Sequence, residues 1–150
     1  MDQNNDFIKS CKIGDIDKAT HIISQKDANI KWNLNDAFGW SCQNGHKEVA
    51  EWLYNLSKSD GNTKININAD SDYAFRWSCA NGHKEVDEWL YNLSKSDGNT
   101  KININYDSEY AFRWSCYNGH KEVAEWLYNL SKSDENTKIN INAESDQAFI

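Results

Sequence analysis

Apolar side chains recur at helical spacing in the segment "KEVDEWLYNL", which begins at Lys84. Four of them follow the i, i+3, i+4, i+7 spacing that gathers apolar residues on one face of an α-helix, while the Lys and Glu residues fall on the other face. The pattern therefore predicts an amphipathic helix with one buried face. The four apolar residues are Val86, Trp89, Leu90 and Leu93.

A shorter helix is predicted just before this one, over roughly residues 74–80. Ser71 or Asp72 is placed to cap the free amide groups at its start. Asn81 and Gly82 follow it, and this dipeptide suits a tight turn with left-handed backbone. The two helices should consequently run antiparallel.

A polar stretch, "SKSDGNTK", follows the second helix and carries the Asp, Gly and Asn residues typical of turns. The next residues, "ININ", alternate apolar and polar side chains, which indicates a short extended piece. These four parts, a helix, a second helix, a loop and an extended finger, therefore form one structural unit.

The whole pattern repeats along the chain. Trp40, Trp77 and Trp114 lie 37 positions apart, and a looser copy precedes the clear ones. A period of this length is typical of a solenoid, in which short helices gain their stability by stacking on neighbouring repeats. We therefore expect one domain over residues 1–150. Its parts would be a degenerate repeat at about 5–35, repeats at 36–72, 73–109 and 110–146, and the start of a further repeat at 147–150.

The segment "YAFRWSCANGHKEVDEWLYNL", followed by "IN", resembles the ankyrin repeat. Phe75 takes the apolar position of that motif, Gly82 and His83 its Gly-His pair, and Trp89 and Leu90 its paired leucines. The resemblance implies an all-α ankyrin-repeat α-solenoid of stacked helix-turn-helix units with long fingers between them. The chain departs from the motif in its longer period, in Tyr-Ala for Thr-Pro, and in Arg for the motif histidine. The repeat also resembles, more narrowly, ankyrin arrays encoded by giant viruses that infect amoebae.

Composition and charge limit the classes of partner that the chain could bind. Aromatic residues make up 13% of the chain, enough apolar surface to form a core. The formal net charge of −7 would repel a phosphate backbone, and the chain has only two Arg, so nucleic acid is a poor partner. No apolar stretch approaches the roughly 18 residues that a membrane span needs. We therefore expect a cytoplasmic protein, in the host cell if it is viral, that binds neither nucleic acid nor membrane.

Cysteine and histidine recur as C-x3-H in each clear repeat, for example at Cys79 and His83. Equivalent cysteines in helices stacked about 8 to 10 Å apart would be too distant for a disulfide, and two ligands per repeat do not complete a zinc site. Identical catalytic sites in triplicate are equally implausible. We expect reduced core cysteines and no catalytic residues, metal or cofactor. The ankyrin resemblance implies that the histidines bond to backbone in the turn that leads into the second helix.

The columns that vary between repeats are the candidates for partner recognition. One column holds Trp32, Ala69, Tyr106 and Ala143, and another holds Gln43, Ala80 and Tyr117. The resemblance implies that finger tips and first helices line one concave face, where exposed aromatic residues often carry binding energy. The same aromatics could instead pack on neighbouring fingers, and the Arg side chains could hydrogen-bond to the backbone of the adjacent repeat rather than to a partner's carboxylate. The candidate partner-binding residues are Trp32, Gln43, Asp70, Tyr73, Arg76, Tyr106, Asp107, Tyr110, Arg113 and Tyr117.

The sequence thus predicts a non-enzymatic module that binds a host or viral protein. Acidic Asp70, Asp107 and Glu144 beside the variable aromatics indicate a basic partner. The alternative is a structural or self-associating element, or a piece of a longer array. It would stack through an uncapped carboxyl-terminal face carrying Trp114, Trp126 and Leu127.

Overall fold

The structure is a computed structural model that describes residues 2–25, 31–59, 62–133 and 138–139. Within these residues, all regular secondary structure is α-helical, as the sequence predicts. The chain forms two compact units, Met1–Asn66 and Ile67–Ile150. Among the described residues, no helix has the length and apolar character needed to cross a membrane.

The first unit contains two helical hairpins. Helix α1 packs against both α2 and α3, and α3 packs against α4. Side-chain oxygens of Asp2, Asp15 and Asn33 accept backbone hydrogen bonds at the starts of α1, α2 and α3, and so satisfy amide groups that have no partner within the helix. The helices are α1 (Gln3–Lys12), α2 (Ile16–Ser24), α3 (Leu34–Gln43) and α4 (Lys47–Ser57).

The second unit repeats this arrangement. Helix α5 packs against α6 and α7, and α7 packs against α8. Its helices are α5 (Ala69–Ala80), α6 (Lys84–Ser94), α7 (Tyr106–Tyr117) and α8 (Lys121–Ser133).

Left-handed backbone interrupts the start of α5. Asp70, Ser71 and Asp72 have φ values of 52°, 56° and 60°, so the regular right-handed helix begins only after them, close to the predicted start. Asp72 is not the predicted cap, because its carboxylate accepts hydrogen bonds from Asn68 Nδ2 at 2.7 Å and from the backbone N–H of Asn103 at 3.3 Å. The predicted turn after the helix is confirmed, with Gly82 at φ +80°.

The second helix of the repeat is confirmed, but its buried face is rotated from the predicted one. In α6 the buried residues are Val86, Asp87, Leu90, Tyr91 and Ser94, whereas Trp89 and Leu93 are half-buried. The equivalent residues of α4 are buried in the same way. Tyr91 also meets Trp126 of α8 edge-on, with ring centroids 6.1 Å apart, so α6 is covered by more than its hairpin partner.

A buried serine connects each second helix to the predicted extended piece. Ser94 Oγ donates to the Tyr91 carbonyl at 2.6 Å and accepts from the Ile102 N–H at 3.1 Å. The described parts of these pieces are irregular rather than strands, yet their isoleucines, such as Ile102 and Ile104, are buried. Ser57 with Ile65, and Ser131 with Ile139, form the same bridge.

Within each unit, the same contacts join one hairpin to the next. In the second unit, Ser115 Oγ donates to the Cys79 carbonyl at 3.1 Å, and Asn118 Nδ2 donates to the Ala80 carbonyl at 2.8 Å. In the first unit, Ser41 bonds to Cys11 and Asn44 bonds to Lys12 in the same manner. These bonds explain why Ser and Asn recur at fixed positions in the repeat.

Candidate binding surface

Three aromatic residues of α7 lie on one side of the helix, at i, i+4 and i+7. Tyr110 packs against Trp114 with ring centroids 6.0 Å apart, and Trp114 meets Tyr117 edge-on at 5.1 Å. Tyr106 precedes the regular part of α7, because Asp107 and Glu109 have left-handed backbone. Tyr106, Trp114 and Tyr117 are 39%, 37% and 62% exposed, so this side of the helix is open to solvent.

Helix α5 extends this patch. Tyr73 is 37% exposed and packs against the half-buried Trp77 at 5.7 Å. Arg76 lies between the two helices, because its guanidinium carbon is 5.0 Å from the ring centroid of Tyr106 and 4.9 Å from that of Tyr110. These contacts unite the two helices into one patch, which we call the aromatic surface. It comprises Tyr73, Arg76, Trp77, Tyr106, Tyr110, Trp114 and Tyr117.

Arg76 has a structural role within this surface. Its Nε and Nη2 donate to the carbonyls of Ser71 at 2.8 Å and Asp70 at 3.0 Å, which belong to the left-handed segment at the start of α5. Arg113 likewise donates to the carbonyl of Asp107 at 3.0 Å. The backbone alternative considered for both arginines is thus observed, because by the predicted repeat bounds the bonded carbonyls lie in the preceding repeat. Arg76 also presents a cation on the tyrosine rings.

Acidic side chains border the aromatic surface. Asp70 and Asp107 are exposed and Glu109 is half-buried, at the starts of α5 and α7. The backbone of all three is left-handed, with φ between 51° and 57°. Together with the net charge of −7, they give this end of the second unit an acidic border around its aromatic centre.

The two candidates in the first unit are less accessible. Trp32 is half-buried and its ring packs on Phe7, with centroids 5.1 Å apart. This ring contact is with helix α1, whereas the alternative considered for this residue was a neighbouring finger. Gln43 is also half-buried. Trp32 borders an open cavity of about 500 Å³, whose polar lining includes Asn4 and Asn35. Both of these amide oxygens already accept backbone hydrogen bonds, so little polar capacity is left for a ligand.

The residues predicted to form an uncapped apolar face are placed differently from one another. Leu127 is fully buried, and Trp126 is half-buried against Phe75 at 6.2 Å and Tyr91 at 6.1 Å. Only Trp114 is substantially exposed, and it belongs to the aromatic surface. Ala143 and Glu144, which were also named in the variable columns, lie outside the described residues.

The repeated cysteines behave as packing residues. Cys11, Cys42 and Cys79 are buried, Cys116 is half-buried, and all four are free thiols. Burial raises the pKa of Cys11 to about 12 and raises that of Cys116 as well. In the described part of the chain, no group of three or more His, Cys, Asp or Glu residues is arranged to hold a metal ion.

Two of the repeated histidines lie against glycines of the preceding hairpin. His46 precedes α4 but makes no side-chain capping bond, and its ring instead lies against the backbone of Gly14. The ring of His120 lies against Gly82 in the same way. The recurring Gly-His pair therefore allows a close approach between successive hairpins, since glycine has no Cβ atom to displace the ring.

One polar residue escaped the sequence analysis. Asp87 on α6 is fully buried, and its Oδ1 accepts a hydrogen bond from Ser78 Oγ of α5. Its Oδ2 has no hydrogen-bond partner among the described residues. The signal was available, because Ala50 and Ala124 occupy the equivalent positions of the other clear repeats. Because Asp87 is enclosed, it is no part of a surface that a partner or substrate could reach.

Comparison with known proteins adds no family to this description. No protein-family model matches the chain, and no curated protein matches it.

Proposed function

We propose that this chain is a non-enzymatic ankyrin-like module that binds a basic segment of another protein through its aromatic surface. The observation that carries the proposal is the Tyr110–Trp114–Tyr117 row on α7, in which Trp114 and Tyr117 are exposed, joined to α5 through Arg76. The resemblance of the sequence to the ankyrin repeat supports a stack of repeats, and its narrower resemblance to ankyrin arrays of giant viruses supports a giant-viral origin. In that setting the partner would be a host or viral protein in the host cytoplasm.

The composition of the surface favours a polypeptide partner. Exposed Tyr and Trp offer large, rigid contact areas at low entropic cost, and they are the residues that most often dominate protein interfaces. Their ring faces also attract cations, as Arg76 on Tyr106 and Tyr110 illustrates. A partner Arg or Lys can find equivalent positions on the exposed rings of Trp114 and Tyr117.

Charge selects a basic partner over an acidic one. Asp70 and Asp107 border the aromatic centre, and the net charge of −7 acts over a longer range. Complementary charge increases the association rate and orients the partner, while the aromatic residues supply most of the affinity. The affinity should therefore fall as the salt concentration rises, since exposed charges are screened.

Peptide selection on the intact chain tests this proposal. Peptides enriched from a random display library would be synthesised, and their affinities measured by calorimetry for the native chain and for Tyr106→Ala/Tyr117→Ala. Two exposed residues outside the surface provide controls, Ile13→Ala immediately after α1 and Glu122→Ala on α8. Thermal unfolding would establish that every variant is folded.

We expect the enriched peptides to carry a net positive charge. The double variant should lose at least tenfold in affinity, which is the size of effect expected at an interface hot spot, whereas the controls should keep the native affinity. Charge-reversed peptides should not bind. Equal affinities for all variants would overturn the assignment of this surface. Concentration-dependent self-association without peptide enrichment would favour the structural alternative.

A further inference from the structure

We propose that Asp87 is a buried proton switch, which takes up a proton when the repeat folds and loosens the contact between α5 and α6 when that proton is lost. The proposal does not depend on the function of the aromatic surface. It rests on the burial of this carboxyl group and on its incomplete hydrogen bonding.

The position of Asp87 is unusual for a charged group. Its side chain is fully enclosed, and charged side chains are rarely buried without a partner of opposite charge. Ser78 Oγ bonds to Oδ1 and also donates to the Phe75 carbonyl at 3.2 Å, while Oδ2 lacks a partner among the described residues. A single hydroxyl proton cannot serve both acceptors fully, and the neighbouring Cys79 thiol is only a weak donor, so an ionised Asp87 is poorly satisfied.

A neutral Asp87 resolves this conflict. The protonated carboxyl group can itself donate to Ser78 Oγ, and the serine proton is then free for the Phe75 carbonyl. The cluster becomes a chain of donors and acceptors that needs no counter-charge. The geometry therefore favours one protonation state in the folded repeat.

The surrounding groups agree with this assignment. Loss of solvent on burial is the largest effect and raises the pKa of Asp87 to about 7, and the charge of Glu88 on α6 raises it further. Hydrogen bonds from Ser78 and Cys79 on α5 act in the opposite direction but do not offset the burial. Cys79 is itself held as a neutral thiol, because burial and the neighbouring Asp87 raise its pKa.

The direction of the pH effect follows from linkage. Asp87 has a pKa of about 7 when folded, against 3.8 as the ordinary value, so between these limits the folded state binds the proton more tightly. The contribution of Asp87 to the free energy of unfolding is largest below pH 3.8, and this contribution is lost as the pH rises through about 7. Over this window the unfolding constant can increase up to about tenfold per pH unit for one proton.

The other clear repeats provide the natural comparison. Ala50 and Ala124 stand where Asp87 stands, although Ser41 with Cys42, and Ser115 with Cys116, repeat the polar neighbours. Asp87→Ala therefore converts the switch repeat into the form used elsewhere in the chain. Ala50→Asp, added to that variant, moves the carboxyl group to the equivalent enclosed position, since Ala50 is also fully buried.

Urea unfolding of the intact chain between pH 4.5 and 8.5 tests the proposal, together with NMR titration of the Asp87 carboxyl carbon. We expect the native chain to lose stability steeply from about pH 5 to 7. Asp87→Ala should reduce this slope and be the more stable protein at pH 8. Asp72, whose pKa burial also raises, contributes a slope of the same sign that remains in the variant.

Glu122→Gln removes an exposed carboxylate from the same unit and should leave the slope unchanged. The Asp87→Ala/Ala50→Asp variant, if it folds, should regain the dependence of stability on pH. If it does not fold, the titration of the Asp87 carboxyl carbon in the native chain tests whether this group is protonated in the folded state. Equal slopes for the native chain and Asp87→Ala would overturn the proposal. An Asp87 carboxyl carbon that titrates near the ordinary pKa of Asp would overturn it equally.

Discussion

The imidazole ring of His120 lies against the backbone of Gly82, in the space where any larger residue would place its Cβ atom. Gly82 and Gly119 share a left-handed backbone with φ of +80°, yet nothing lies within 4 Å of the corresponding position at Gly119. Gly119 therefore needs glycine only for its left-handed backbone, whereas Gly82 needs it both for the backbone and for the close approach of the next hairpin.

Gly119→Ala should lower the free energy of unfolding by about 1 kcal/mol, because alanine is disfavoured in left-handed backbone. Gly82→Ala should cost about 1 to 3 kcal/mol more, because the His120 ring must move. Urea unfolding measures both. In a His120→Ala background the additional cost should disappear, and equal costs for the two glycines in the native background would contradict the close approach.

The bridging serines lead to a second prediction. Ser94→Ala removes the acceptor of the buried Ile102 N–H and should lower the free energy of unfolding by about 1 to 3 kcal/mol. Ser96→Ala removes an exposed bond to the Leu93 carbonyl and should cost less than about 0.5 kcal/mol. Hydrogen exchange of the Ile102 amide should accelerate only in Ser94→Ala. Unchanged protection in that variant would refute the bridge.

Thiol labelling should follow burial. Cys116 is half-buried, whereas Cys11 and Cys79 are fully buried with raised pKa values, so their thiolate fractions at pH 7 are small. With a maleimide reagent, we expect Cys116 to react first, and Cys11 and Cys79 to react only on the timescale of unfolding. Peptide mapping by mass spectrometry assigns the sites. Labelling of all four at one fast rate in the folded chain would contradict their placement.

Much of the local structure could be predicted, since apolar spacing and Asn-Gly dipeptides are local signals. Helix α6, its predecessor and the left-handed turn at Gly82 all follow from them. The buried face of α6 could not be placed correctly, because it depends on which other helices cover it. Tyr91 is buried against Trp126, a contact that no property of α6 alone specifies.

The candidate site was predicted only in part. Tyr106 and Tyr117 are exposed as expected, but Trp32 packs on Phe7, and burial of a single tryptophan depends on tertiary contacts. Trp77 and Trp114 were not proposed as binding residues because they recur in every clear repeat, yet they contribute to the surface. Asp87 was not singled out from the sequence, although comparison with Ala50 at the equivalent position distinguishes it.

Arg76 carries the last prediction, because it serves the fold and the surface together. Its planar group donates to the Asp70 and Ser71 carbonyls while lying about 5 Å from two tyrosine rings. Lysine keeps the charge but cannot supply this two-point bond in the same plane. Arg76→Lys should therefore lower the free energy of unfolding by about 1 to 2 kcal/mol, measured in urea, with the energy of two hydrogen bonds as the basis.

NMR separates the two roles of Arg76. In the native chain, the side-chain δ-protons should be shifted upfield by the rings of Tyr106 and Tyr110. Tyr106→Leu should abolish part of this shift while leaving the bonds to the carbonyls, so its stability loss should be smaller than that of Arg76→Lys. The reverse order of the two losses would mean that ring stacking, and not the hydrogen bonds to the left-handed segment, holds this arginine in place.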